Sequence, residues 1–531
     1  MNQKKLQIWL PLLLALAVFL GMVFGYKLKS NMGQYSPSFF GKEKKTSLQE
    51  ILELVRTKYV DTVNTDSLGQ MAIKNVISQL DPHSVYIPAD FLKTVNDDLK
   101  GSFEGVGIEF GMIDDTVTVL KLFPKGPAEK AGIKPADQIL SANDSLVSGI
   151  RSKADRIRKL FRGEKGSEVK VKLLRNGQPQ TLVIQRGVIP LSPVDVAYII
   201  EPGVGFIRVN KFTNDSYEEF MQNLERLKKE GMAKLILDLR DNGGGMLDDA
   251  IQMADEFLSD AKEIVYTEGK ASPRQVFTAR RPGMFEEGKV VVLIDEGSAS
   301  ASEVLTGALQ DWDRATIVGR RSFGKGLVQE QFQLSDGSAL RLTISRYFTP
   351  IGRSIQKPYS RGATEDYNEE IMNRFSNGAM FRNDSANHTG RTYTTKGGRK
   401  VYGGGGISPD VFVPADSAEF LMFKHHELVK EIIEEAAFVY YMRSQAKLKA
   451  ITTPQQLQQE LQNDAAIWAV YNERALKKDM SLSEFSAAHK NVLLRYLGAR
   501  LAHFLWGRDG YYKMINLSDQ MVQKGLEEIR K

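Results

Sequence analysis

Through the middle of the chain, apolar residues recur in two alternating patterns. Residues 203–209, residues 234–239 and Val290–Ile294 are short, mostly apolar runs rich in Val, Ile and Leu, bounded by charge or glycine. They read as strands, and the last, almost wholly β-branched, as a buried strand of a parallel sheet. Between them the period changes. Ser216–Lys229 carries Phe220, Leu224 and Leu227 on one helical face, residues 247–258 read as a further helix, and Val304, Leu305, Ala308 and Leu309 follow Val290–Ile294 at helical spacing. With strands expected near residues 263–267, 327–334 and 339–347, this alternation predicts an α/β core over residues 189–415.

The flanking regions have other patterns. Residues 99–188 predict a strand at 117–122, a helix at 153–161 and two strands about the turn Arg175-Asn176-Gly177. Residues 31–98 combine a polar tether (31–45) with two helices, one beginning at Ser47 and one marked by Ile73, Val76, Ile77 and Leu80. Residues 416–531 read as an all-α extension, and residues 357–395, rich in Asn, Ser, Gly and charge, as a mobile insertion. Residues 1–30 hold an apolar run, Leu6 to Tyr26, flanked by Lys4, Lys5, Lys27 and Lys29. About 20 such residues suffice to span a bilayer. With no small-residue cleavage pattern, the run reads as an uncleaved transmembrane anchor, and its flanking charges do not orient it.

Composition narrows the chemistry. The 531 residues contain no cysteine, which excludes a thiolate nucleophile, disulfides and a lipid-modified N-terminal cysteine. The net charge of +6 is spread among interspersed acids and bases, so no nucleic-acid footprint is expected. No metal and no cofactor is expected; the adjacent His425 and His426 lack an i,i+4 ligand spacing. Ser298, Ser300 and Ser302 lie at the turn after Val290–Ile294. There a serine either caps the next helix or stands exposed beside free amides and a positive dipole end, which suits acyl transfer. No histidine falls between His83 and His388, and Lys325, in Gly324-Lys325-Gly326, is the remaining nearby base if burial depresses its pKa. Arg240-Asp241-Asn242-Gly243-Gly244-Gly245 can bring backbone N–H groups against a ligand, but lacks the G-K-[ST] of a phosphate loop.

The serine cluster GSASASE, the lysine of G-K-G and a glutamine four residues on together resemble the carboxyl-terminal processing peptidases, tail-specific serine proteases with a Ser-Lys dyad. Further elements extend the resemblance: Leu80-Asp81-Pro82-His83-Ser84-Val85-Tyr86, the D-L-R-x-N-x-G-G stretch, Tyr347-Phe348-Thr349-Pro350-Ile351-Gly352-Arg353-Ser354-Ile355-Gln356, and the closing Gly405-Gly406-Ile407-Ser408-Pro409-Asp410. Residues 99–188, from Phe103-Glu104-Gly105-Val106-Gly107-Ile108 onward, resemble a PDZ domain.

The resemblance implies a crotonase-like peptidase core with an inserted PDZ domain. It selects Ser300 as nucleophile, Lys325 as base and Gln329 as the residue holding Lys325. It places the amides of Gly244 and Ala301 in the oxyanion hole and assigns Gly105, Val106, Gly107 and Ile108 to a peptide carboxylate. His83 is expected to serve structurally in its turn. The implied protein is a single-pass inner-membrane endopeptidase, catalytic on the periplasmic side, that cuts unfolded or tail-exposed proteins near their C-termini. A homo-oligomer or an adaptor protein is left open as a further partner. Two rival classes are a non-catalytic PDZ adaptor or chaperone and a ligand-binding relative of the same fold; an intact Ser300, Lys325 and Gln329 disfavours both.

Overall fold

The computed structural model describes residues 15–22, 46–148, 154–362, 364–382, 390–425, 427–481 and 485–531. Residues 1–75 and 76–531 form two compact units. In the first, residues 15–22 are helical; the remainder of the apolar run and the tether lie outside the described residues, as does His426 further on. No helix among the described residues is long and apolar enough to cross a membrane. Helix Ser47–Lys58 begins at Thr46 with reciprocal Thr46–Gln49 capping bonds, and leaves Leu48, Ile51 and Leu54 exposed.

In the second unit the α/β core is a six-stranded sheet. Its order is Val194–Glu201, Val204–Val209, Lys234–Asp238, Val290–Ile294, Ala315–Gly319 and Val411–Phe412. The first pair is antiparallel and every later pair parallel. Parallel neighbours require crossovers, and helices Ser216–Lys229, Leu247–Asp255 and Ala301–Asp311 supply three. Side chains alternate along each strand. Leu235, Leu237, Val290 and Val292 meet these helices, while Ile236, Val291 and Leu293 face the other way. That second face is covered by Met521, Val522, Leu526 and Ile529 of the final helix, Gln520–Arg530. The helical extension therefore contributes to the core, and burial on both faces explains why all five residues of Val290–Ile294 are apolar.

A second sheet runs Val85–Ile87, Ala339–Phe348, Glu263–Glu268 and Gln275–Thr278, with Leu327–Gln333 also paired to Ala339–Phe348. A third, antiparallel throughout, orders Ile108–Ile113, Thr116–Leu122, Gln138–Ala142, Glu168–Arg175 and Gln178–Gln185, and packs on helix Ala154–Phe161. Ile108–Ile113 lies at its edge. Helices Ser417–His425, Glu427–Arg443, Pro454–Asn463, Ala465–Leu476 and Ala487–Asn516 share an apolar cluster of their own.

The stretch 357–395 differs from its reading as a mobile insertion. Thr364–Ser376 is a helix, and Thr392–Thr394 pairs with Lys400–Tyr402; residues 363 and 383–389 lie outside the described residues. The physical reason is tertiary. Arg374, buried and paired with Glu370, donates to the carbonyls of Arg321, Ser322 and Phe323, and Tyr367 is buried as well. A helix anchored by so few side chains can stay polar elsewhere, which hides it from composition.

Candidate active site

Strand Val290–Ile294 ends at a turn that delivers Ser300 to the start of helix Ala301–Asp311. Ser300 has φ 55° and ψ −113°, a region that residues other than glycine rarely occupy. Such strain persists only where the surroundings over-determine it. Here the flanking serines do so. The Ser298 hydroxyl donates to the Leu239 carbonyl and that of Ser302 to the Asn242 carbonyl, each at 2.8 Å, and the Ala299 N–H adds a 3.0 Å bond to Asn242. Ser300, half-buried, takes no part in this stitching.

Glu303, one helical turn on, is 1% exposed, and its carboxylate collects four donors. Oε2 accepts the N–H groups of Ser300 and Lys325, each at 2.8 Å; Oε1 accepts the Gly324 N–H at 2.7 Å and the Ser322 hydroxyl. Burial raises the Glu303 carboxyl, opposed by those four bonds. The Tyr347 hydroxyl lies between the carbonyls of Ser300, at 3.1 Å, and Lys325. One carboxylate and one phenol thus hold together two backbones 25 residues apart in sequence.

The Lys325 ammonium group, on a half-buried side chain, donates to Gln329 Oε1 at 3.1 Å, and Gln329 Nε2 donates to the His83 carbonyl at 2.5 Å. The turn at His83 is itself pinned: Asp81 accepts the N–H groups of His83 and Ser84 at 2.9 Å and the Thr343 hydroxyl at 3.0 Å. Burial, joined by the charge of Arg341, lowers the Lys325 pKa. The His83 ring, 2.7 Å from the Tyr367 hydroxyl, is carried down to about 4 by burial and by Lys325, and is neutral at neutral pH.

The oxyanion expectation meets a detail of hydrogen bonding. The Gly244 N–H donates to Asn242 Oδ1 at 2.9 Å, so in this structure that amide is committed within its own loop. The close approach expected of the glycines is present: a Cβ on Gly244, whose φ is +93°, would lie 2.8 Å from Ser300 Cβ and 2.9 Å from the Ala301 nitrogen. Gly244 therefore walls the site beside Ser300 and Ala301. Side-chain type cannot identify which backbone N–H is spare, and so the sequence could not resolve this.

Val106, Gly107 and Ile108, at the start of the third sheet's edge strand, line a groove of about 810 Å³ between strand Ile108–Ile113 and helix Ala154–Phe161, whereas Gly105 ends the separate strand Ser102–Gly105, paired with Gly187–Pro190, and does not line it. Gly107 has φ +76°, and a Cβ there would meet Ile189 at 2.8 Å, so only glycine fits the loop. Sequence reasoning passed over Glu303 and the role of Tyr347. The available signal for Glu303 was an acid three residues after a capping serine, at the start of a helix rich in small and apolar residues.

Comparison with known proteins gives two matching family models: Peptidase family S41 over residues 203–368 and a PDZ domain over residues 105–185. A probable CtpA-like serine protease of Staphylococcus epidermidis is 32% identical over 356 residues, 66% of this chain and 72% of that protein. One from Staphylococcus aureus is 34% identical over 312 residues, 58% of this chain and 62% of that protein. Among solved structures, a photosystem II D1 C-terminal processing protease aligns at 28% identity over 70% of this chain and 87% of that one, with a TM-score of 0.36.

Proposed function

This chain belongs to peptidase family S41 and is a serine endopeptidase, and from that premise we propose that it cuts proteins near their C-termini with Ser300 as nucleophile and Lys325 as base. The observation that carries the assignment is the shared support of the two residues: Glu303 and Tyr347 bond to the backbones of both. Lys325 removes the Ser300 hydroxyl proton as Oγ attacks the scissile carbonyl, then gives that proton to the leaving amine; a water molecule hydrolyses the acyl-enzyme by the same route. An unperturbed lysine would be neutral in only about one molecule in 10³ at neutral pH, so the partly buried site that lowers the Lys325 pKa is part of the mechanism. Gln329, oriented by the His83 carbonyl, holds the amine in place. The Ala301 N–H, at the start of its helix, serves the oxyanion, with a second donor from the glycine loop that walls the site.

In this reading the groove at residues 106–108 holds the free carboxylate of the substrate's tail, the run at residues 6–26 anchors the chain, and the catalytic portion lies outside the cytoplasm. Intact-mass analysis of an unfolded, apolar-ended protein incubated with wild type, Ser300→Ala and Lys325→Ala tests the dyad. Cleavage by wild type alone is expected, whereas cleavage by either variant at the wild-type rate overturns the assignment. Carbonate extraction and protease accessibility of intact cells test the anchor and the side of the membrane.

A further inference from the structure

Resting on the proposal that the PDZ groove takes a substrate tail, we infer that the C-terminal helical extension forms a second wall of that groove and reads every other side chain of the bound tail. Strand Ile108–Ile113 pairs on one side with Thr116–Leu122, and among the described residues no strand pairs with its other side. A tail adding there as a further strand turns alternate side chains to opposite faces. On the inner face, Ile108, Phe110 and Phe161 meet the apolar core of this domain and receive the terminal side chain. The outer face is not solvent.

Glu109, which points that way, accepts from Arg500 at 2.8 Å and lies 2.8 Å from His503 Nε2, and Arg500 also pairs with Glu434. Lys121 donates to the His503 carbonyl, and Ile113 and Leu120 pack on Phe438, with Phe504 alongside. The extension is thus seated behind the strand to which the tail would add, and Glu434, Arg500 and Tyr511 line the same 810 Å³ groove as Val106 and Phe110.

Behind the strand, the charges of this wall, Glu109, Arg500, Glu434 and His503, are already paired with one another, and Tyr511 lies beside them. An apolar side chain laid against the wall strips water from those ions without replacing their hydrogen bonds, whereas an amide or hydroxyl adds bonds. The substrate class is therefore an amphipathic tail: apolar at its last residue and the third from the end, polar at the second and fourth.

The test uses the full chain carrying Ser300→Ala and fluorescein-labelled ten-residue peptides ending in valine, with Gln or Leu at the second and fourth positions from the end. Binding is followed by anisotropy. The Gln peptide should bind about tenfold more tightly than the Leu peptide. Adding Glu434→Gln or Arg500→Gln should reduce that ratio to about twofold, while replacement of the terminal valine by aspartate still abolishes binding in each. Thermal melts establish that each variant is folded, and two substitutions on different helices keep the test independent of either one failing. Equal affinity for the two peptides, or a ratio unmoved by both substitutions, overturns the inference and leaves tail capture intact. Failure of any free-carboxylate peptide to bind overturns the tail-capture reading itself.

Discussion

The turn that carries Ser300 and the seam between the PDZ domain and the helical extension are both held by charges, yet they are built differently. At the turn, a single carboxylate at 1% exposure accepts four donors, three of them backbone N–H groups whose positions the fold dictates. At the seam, Asp114, 54% exposed, meets Arg474 and Lys477, and long side chains supply nearly all the bonds. Backbone donors cannot relax around a lost acceptor, whereas water can replace the exposed Asp114, and Arg474, though buried, keeps Glu473 as a second partner. The first arrangement fixes the backbones of Ser300 and Lys325, the two residues of the proposed dyad; the second joins two modules through side chains.

Substituting each site measures that contrast. The largest effect is expected for Glu303→Gln, which sets an amide NH₂ against groups that need an acceptor. Stability should fall by about 3 kcal/mol, and kcat/KM by about 10²-fold or more as Ser300 and Lys325 lose their common support. Calorimetry and peptide hydrolysis check both, and a variant with unchanged kcat/KM would remove Glu303 from the site's construction. Next in size is the pH dependence. In the proposed dyad Lys325 acts as a neutral amine, and its pKa is lowered, so kcat/KM should rise with pH to a plateau whose midpoint lies below 10.5. Below that midpoint it should drop about tenfold per pH unit. A midpoint at or above 10.5 would show a base that is not in the buried site described.

Tyr347→Phe removes a bridge yet keeps the ring, and should lower kcat about three- to tenfold at a cost of about 1 kcal/mol in stability. If KM rises while kcat holds, the phenol shapes substrate binding instead. Smallest is Asp114→Asn at the seam. Asparagine tolerates the positive φ of 48° found there, so the turn survives, and the loss should be about 1 kcal/mol or less. Hydrolysis of a short peptide lacking a recognisable tail should be unaffected. A loss as large as that for Glu303→Gln would erase the distinction between the two regions.

Periodicity and length made the strand Val290–Ile294, the helix Ser216–Lys229 and the α/β alternation legible without coordinates, because burial on fixed faces imposes a repeat on the sequence. The resemblance of short motifs picked out Ser300, Lys325 and Gln329 for the same reason: each needs a particular side chain at a particular spacing. What remained hidden depends on groups that every residue carries or on partners remote in the chain. The commitment of the Gly244 amide to Asn242 is a backbone property. The His83 carbonyl that orients Gln329 lies 246 residues away from it. Helix Thr364–Ser376 is polar apart from a few anchoring side chains, and helix Gln520–Arg530 declares its amphipathic face but not the sheet it covers. The sequence by itself determined which residues could do chemistry and which runs had to be buried. Only the tertiary structure decided which of them meet, because hydrogen bonds to backbone atoms and packing between distant segments leave no local period to read.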